Sequence, residues 1–305
     1  MFAQSELQLI DKQTLQWKTE LIQKPKHDEV LVQTLASSIS IGAELSAYFG
    51  AVNTYPIQTG YENVAEVVQI GNEVNAVRPG DRVVAFYGHK NIELCKENQV
   101  IPLPDHVNER AAILVILSCD AAKGVRKLAP RREDRVVISG MGVIGLWTVY
   151  YLKLFYGVRN VDVIEPNADR MQLAKTFGAK EHVDEGSHKL HGCYDYGLEC
   201  STSNRAFGQL QRLVCTNGSI CLLSDGNSDR FELTDDYFCK ELTLFRSSDG
   251  WDYREHFEWF FRQVSGTPYV YELFEQTIEQ SELIECFHLL AERKMRPLKV
   301  FIQYR

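Results

Sequence analysis

Val136-Val137-Ile138-Ser139-Gly140-Met141-Gly142-Val143-Ile144-Gly145 is the stretch that decides how this chain is read. A short apolar run leads into Gly-x-Gly-x-x-Gly, and Leu146, Trp147 and Leu152 follow at helical spacing. Strand, turn and helix in that order give the glycine pattern its meaning as a dinucleotide-binding turn. Gly140 permits the tight turn, Gly142 lets backbone approach a pyrophosphate, and Gly145 lets the helix lie close on the strand. Val143 and Ile144 open the helix, whose free N–H groups then face the phosphates.

The next strand, Val161 to Ile164, ends in Glu165, twenty residues beyond Gly145. A carboxylate there accepts the adenosine ribose hydroxyls and repels a ribose 2′-phosphate, so NAD(H) is expected over NADP(H), with Arg170 as the nearby cation that blurs the choice. From Arg135 onward strands and helices alternate: Arg135 to Ser139, a helix to Phe155, Val161 to Ile164, helix Ala168 to Phe177, His182 and Val183, Tyr194 to Glu199, helix Asn204 to Val214, Ser219 to Ser224, and Leu242 to Phe245. Short connections of this kind make right-handed βαβ units, and six strands fit a doubly wound parallel sheet. Cys200, just after one strand, and Ser224, at the end of another, join the candidate coenzyme contacts. Leu242 to Phe245 should be the sheet edge, and an unpaired edge invites a two-fold partner, so a homodimer is expected.

Upstream the pattern differs. Val30 to Leu35, Val64 to Ile70 and Arg82 to Phe86 read as short strands, the last entered through a turn at Arg78-Pro79-Gly80-Asp81. The tail holds an aromatic helix, Tyr253 to Phe261, a helix Ile284 to Glu292 and a strand Leu298 to Gln303, which have no place in the parallel sheet. The reading is therefore an α/β chain of two domains: a mixed-β substrate domain from 1–117 and 249–305, and a dinucleotide domain from 118–248. The dense aromatic set Trp251, Tyr253, Phe257, Trp259, Phe260 and Phe261 reads as core or dimer contact ahead of a planar substrate pocket.

The chain has 305 residues, 45% hydrophobic and 24% charged, enough for two packed cores. A formal charge of −8 supplies no broad basic surface, which excludes nucleic acid and anionic membranes as general partners and favours a small soluble molecule. Met1 to Ile10 lacks the basic start and apolar run of a signal peptide, and no stretch approaches the roughly 20 apolar residues of a membrane span. A cytoplasmic location is expected. The eight cysteines show no Cys-x-x-Cys pair and read as reduced core residues, Cys193, Cys200, Cys215 and Cys221 included.

Ser38-Ile39-Ser40-Ile41-Gly42-Ala43-Glu44-Leu45, Gly60-Tyr61-Glu62-Asn63-Val64-Ala65-Glu66-Val67-Val68, Val77-Arg78-Pro79-Gly80-Asp81-Arg82-Val83 and the glycine motif, taken together, resemble the medium-chain dehydrogenase/reductase superfamily over nearly the whole chain. The resemblance implies a GroES-like mixed-β catalytic domain joined to a Rossmann domain. Zinc alcohol dehydrogenases of that superfamily carry a Cys, a His and a further Cys where this chain has Ile41, Tyr61 and, by position, Val115. None is a zinc ligand: Ile and Val offer no donor and neutral Tyr is a poor one. Cys119 lies four residues out of register, and Phe86 to Pro102, where the family's structural-zinc lobe would lie, holds only Cys95. No metal is expected. The first two segments are also locally similar to bacteriochlorophyllide hydroxyethyl dehydrogenases, which suggests zinc-free alcohol or ketone chemistry rather than a tetrapyrrole substrate.

Without zinc, hydrogen-bond donors must stabilise alkoxide character while the nicotinamide takes the hydride. Tyr61 is the first candidate, as a phenol donating to the substrate oxygen, or else as a filler of the vacated metal pocket. Glu62 and Glu44 orient it, relay protons, or serve structural hydrogen bonds. Asp120 is a base or a helix N-cap. Ala43, where the family usually has a hydroxyl, Tyr48 and Cys119 are assigned to the substrate pocket, with Ser46 and Tyr55 in the same loop region; His89 reads as a surface loop residue. The leading function is an NAD(H)-linked, zinc-independent alcohol–ketone oxidoreductase. An NADPH-linked enoyl or quinone reductase and a non-catalytic NAD-binding scaffold stand as alternatives.

Overall fold

The computed structural model describes residues 1–184, 186–224, 229–250 and 253–304. Two compact units emerge: Met1–Leu114 with Tyr271–Arg305, and Val115–Val270.

The first unit opens with β1 (Phe2–Asp11), β2 (Thr14–Ile22), β3 (Glu29–Ile39), α1 (Ile41–Tyr48), β4 (Ile57–Gln58), β5 (Glu62–Ile70), β6 (Arg82–Ala85), β7 (Ile92–Lys96) and β8 (Val100–Pro102). Strands β1 and β2 form a hairpin whose outer strand is largely exposed, and β4 pairs with β1. β3 is the hub. It pairs antiparallel with β5 and β7, and β5 carries β6 and β8 beyond it. The turn into β6 forms as read, with Asp81 accepting from the Arg78 N–H at 2.9 Å and its own N–H returning to the Arg78 carbonyl at 3.0 Å. Val30, Val32, Ala65, Val67, Val83 and Ala85 alternate inward along these strands and form one core.

Helix α2 (Glu109–Leu128) runs on into the second unit at Val115. There follow β9 (Arg135–Ser139), α3 (Val143–Leu154), β10 (Asn160–Ile164), α4 (Ala168–Phe177), β11 (Tyr194–Glu199), α5 (Asn204–Leu213), β12 (Val214–Leu222), α6 (Asp235–Cys239), β13 (Thr243–Arg246) and α7 (Tyr253–Val264). The sheet runs β10-β9-β11-β12-β13, parallel throughout, with β13 at the edge as read. His182–Val183, expected as a sixth strand, is reduced to a single bridge from His182 to Val163 outside β10. That preserves the doubly wound order with one member cut to a residue pair.

The chain then returns to the first unit through β14 (Phe274–Glu279), α8 (Leu283–Ala291) and β15 (Lys299–Gln303), with β15 parallel to β14 and antiparallel to β3. The return of the tail therefore begins at Tyr271 and not at residue 249, and the first boundary falls at Leu114/Val115 rather than 117/118. The aromatic helix α7 stays with the second unit because it packs on α3: Phe260 lies 5.5 Å from Trp147 between ring centroids, and Trp259 lies 5.1 Å from Tyr151. Trp251, read into that aromatic set, lies outside the described residues.

Candidate functional site

The glycine turn comes first. Gly140 has φ +83°, and a Cβ there would sit 2.6 Å from the Ser201 Cα, so both conformation and space require glycine. A Cβ on Gly145 would stand 1.9 Å from the Gly140 carbonyl oxygen. Around a Cβ on Gly142, by contrast, nothing lies within 4 Å. Helix α3 is buried from Gly145 through Leu152 and half-exposed at Gly142, Val143 and Ile144. Its open end is thus its N-terminus, where unpaired N–H groups and the helix dipole suit a phosphate.

Glu165 closes the turn from the side. Its Oε2 accepts the Met141 N–H at 2.7 Å and its Oε1 accepts the Asn167 N–H at 2.9 Å, with the residue 6% exposed. Each carboxylate oxygen retains a further lone pair for a ribose hydroxyl. Asn167 caps α4 by accepting from the Arg170 N–H, which fixes Arg170 in the first turn of that helix. These residues fit a dinucleotide.

Cys200 and Ser224 are placed differently from one another. The Cys200 thiol lies 3.9 Å from the Thr148 hydroxyl, and burial pushes it well above the usual thiol range, so it is not a thiolate. The Ser224 hydroxyl donates to Glu199 Oε2. Glu199 itself was not singled out from the sequence; the available signal was a carboxylate at the end of the strand Tyr194–Glu199.

In the first unit, Tyr61 precedes β5 and donates its phenol proton to Ser40 Oγ at 2.7 Å. Ser40 is 7% exposed and is the N-cap of α1; its own N–H donates to Glu44 Oε1 at 2.8 Å. The other Glu44 oxygen faces His89 Nε2 at 3.1 Å, and His89 Nδ1 lies 3.3 Å from Ser37 Oγ. His89 is 0% exposed, which corrects its reading as a surface loop residue. Its carboxylate and serine neighbours meet both ring nitrogens, so a polar ring can be buried there.

Glu62 turns the other way, as alternate strand residues must. Its Oε2 accepts from Ser38 Oγ and from Lys299 Nζ, each at 2.7 Å, and its Oε1 has no hydrogen-bond partner. Burial holds its carboxyl above the usual carboxylate range, outweighing the pull of Lys299 and Ser38. Its recorded partners do not include Tyr61.

Asp120 sits inside α2 and not at a helix start, which removes the N-cap reading. Its Oδ1 accepts the Tyr253 hydroxyl at 3.0 Å, while the Tyr253 oxygen accepts the Gly250 N–H at 2.9 Å. Burial and then the Asp120 charge keep that phenol well above its ordinary range, so Tyr253 stays a neutral donor. Cys119 is 2% exposed, and its sulfur fills the space a Cβ on Gly250 would need, at 2.7 Å. Ala43 is half-exposed on α1, and Ser46 and Tyr48, expected in a loop, lie on the same helix. Tyr48 is 4% exposed and packs 6.0 Å from the Phe287 ring among core residues, so it is a packing residue rather than a cleft-lining one.

At the zinc-ligand positions stand Ile41, Tyr61 and Val115, and Val115 is fully buried in α2. Among the described residues no group of three or more His, Cys, Asp or Glu is arranged to hold a metal ion. Ile41 and Val115 carry no metal-donor atom, and a neutral Tyr61 is a poor donor.

Residues 26–104 match the family described as the alcohol dehydrogenase GroES-like domain. The chain is 26% identical over 242 residues to L-threonine 3-dehydrogenase of Pectobacterium atrosepticum, a stretch covering 65% of this chain and 66% of that protein. It is 28% identical over 191 residues to D-arabitol-phosphate dehydrogenase of Enterococcus avium, covering 52% of this chain and 54% of that one. The chain thus spans just under two thirds of the first relative and about half of the second. Among solved structures, 2R,3R-butanediol dehydrogenase from Bacillus subtilis has the same fold, with a TM-score of 0.85 over 98% of this chain and 99% of that one at 20% identity. The GroES-like match and these relatives support an alcohol dehydrogenase-like, medium-chain dehydrogenase/reductase affiliation, and the solved structure shares the fold.

Proposed function

We propose that this chain is an NAD(H)-dependent oxidoreductase that interconverts an alcohol and a ketone or aldehyde on a small or medium organic molecule, without a catalytic metal. The observation that carries the coenzyme half is Glu165, whose carboxylate ties Met141 of the glycine turn to Asn167 and would meet a ribose 2′-phosphate with like charge. The names of the curated relatives, all dehydrogenases of hydroxyl-bearing molecules, support the reaction class.

The bound nicotinamide would supply the hydride acceptor. Stabilising the substrate oxygen falls to the chain. The Tyr61 hydroxyl, which donates to Ser40 Oγ at 2.7 Å, turns its O–H to the substrate oxygen and steadies alkoxide character there, while the substrate's own proton passes to solvent water. Glu62, held by Lys299 and Ser38, anchors the start of the strand that follows Tyr61 rather than relaying protons. Asp120 stands as the second acid–base candidate.

We further infer a homodimer joined at β13, whose exposed Phe245 (37%) sits on an edge with no further strand among the described residues. A cytoplasmic setting and a small-molecule partner, with neither nucleic acid nor membrane involved, complete the proposal.

The test is a fluorescence titration with NADH and NADPH, followed by turnover of an alcohol and ketone panel by the wild type, Tyr61→Phe and Asp120→Asn. Tighter NADH binding and a loss of at least about tenfold in kcat for Tyr61→Phe are expected. Tighter NADPH binding would favour the enoyl or quinone reductase reading. Coenzyme binding with no turnover of any panel member would favour a scaffold. Stoichiometric zinc in purified protein would overturn the metal-free assignment.

A further inference from the structure

Glu199 ends β11 and is 0% exposed. Its Oε1 accepts from the Ser201 N–H at 2.6 Å, the Ser201 hydroxyl at 2.5 Å and the Ser139 hydroxyl at 3.4 Å; its Oε2 accepts from the Ser224 hydroxyl. The Ser201 N–H and the three serine hydroxyls bring donors to both oxygens, a setting that suits a carboxylate, and no ion pair to Glu199 is found among the described residues.

The position matters as much as the charge. β9 and β11 are neighbours in the sheet, yet the chain leaves β9 for β10 on one side and continues from β11 to β12 on the other. Open α/β sheets bind ligands at such a reversal, outside the carboxyl ends of the strands. Ser139 ends β9, Glu199 ends β11 and Ser224 follows β12, so one carboxylate gathers hydroxyls from all three strands at that place. Ser201, doubly bound to Glu199, also abuts Gly140, leaving no room for a side chain there.

In a doubly wound domain each half takes one mononucleotide. Glu165 marks the first half as the adenosine side, so the half that begins with β11 faces the nicotinamide nucleotide. Oxidised nicotinamide carries a positive charge and reduced nicotinamide carries none. We propose that Glu199 is a specificity-determining residue for coenzyme redox state: its enclosed negative charge favours NAD+ over NADH and tilts the site toward oxidation of an alcohol. The serine donors disperse the charge without cancelling it, and the low dielectric of the strand ends lets the remainder act across several ångströms. This rests on the NAD(H) reading given above.

The experiment measures the dissociation constants of NAD+ and NADH for the full-length wild type, Glu199→Gln and Glu199→Asp at one pH and salt. Because the readout is the ratio Kd(NAD+)/Kd(NADH), a general loosening of the site cancels. Glu199→Gln should raise that ratio about three- to tenfold, the size expected for one partly screened charge. Glu199→Asp should keep the wild-type ratio even where both affinities fall. If both coenzymes weaken equally in Glu199→Gln, the residue only braces the turn and the proposal fails while NAD(H) binding stands. If Glu199→Gln does not fold, Ser139→Ala decides instead: losing one donor bares the charge and should lower the ratio, and an unchanged ratio overturns the proposal. A wild type that binds neither coenzyme overturns this inference together with the reading on which it rests.

Discussion

Lys299 Nζ lies 2.7 Å from Glu62 Oε2, with the two side chains 1% and 0% exposed. β15 and β5 flank β3 on opposite sides, so the pair reaches across the hub strand, and Ser38 of that strand donates to the same oxygen. Breaking one side of a buried pair leaves a bare charge, whereas removing both leaves a hole of ordinary cost. Lys299→Met should therefore destabilise the protein by about 3–5 kcal/mol, and Lys299→Met combined with Glu62→Leu by clearly less. Urea unfolding of the two variants checks this; equal losses would show that the pair is not coupled.

His256 gives a pH signature. It is 1% exposed, its Nε2 lies 3.0 Å from Ser118 Oγ, and burial, aided by Arg126, pushes its pKa down to about 3 from 6.5. The unfolded chain then binds a proton between those values that the folded chain refuses. Stability is complete above about pH 6.5 and declines as pH falls toward 3, by about 1.4 kcal/mol per unit for this one group. His256→Gln has nothing to titrate and should flatten that part of the slope, read as the denaturation midpoint against pH.

The glycine turn separates packing from binding. Gly145→Ala drives a methyl against the Gly140 carbonyl, 1.9 Å away, and should cost about 2 kcal/mol or more and abolish coenzyme binding. Gly142→Ala meets nothing within 4 Å, so its melting temperature should stay close to wild type while NADH affinity drops through the lost approach of backbone to pyrophosphate. Calorimetry and titration of both variants distinguish the effects; a melting loss for Gly142→Ala would contradict the assigned role.

Phe260 is 0% exposed and sits edge-on to Trp147 at 5.5 Å. Truncating it to Ala should cost about 3–5 kcal/mol, a core cavity within the second unit. Thermal unfolding provides the measurement, and a loss below about 1 kcal/mol would mean that α7 does not anchor on α3.

Much of the second unit was legible because its signals are local. β9, α4 and β11 fall at the residues read from the sequence, since each is an apolar run or periodic stretch bounded by its own turn or cap. The hairpin of β1 and β2 was not legible: β2 is exposed along most of its length, and no residue of it is buried. α2 was missed because Ala111 to Leu117 is apolar throughout, a run that strand and buried helix share. α7 was assigned to the wrong unit because an aromatic face states that it must be buried and not against what.

By itself the sequence determined the strand–turn–helix around the glycine motif, the acidic residue that follows it, and the parallel sheet. These follow from conformational limits and donor chemistry that each residue carries with it. Only the tertiary structure decided that Tyr61 gives its proton to Ser40, that Lys299 rather than Tyr61 engages Glu62, and that Glu199 collects serines from three strands. Those partners lie 21 to 237 residues apart, apart from the local Ser201. A hydrogen bond is a matter of a few tenths of an ångström, and only strand order and register bring such distant residues to that range.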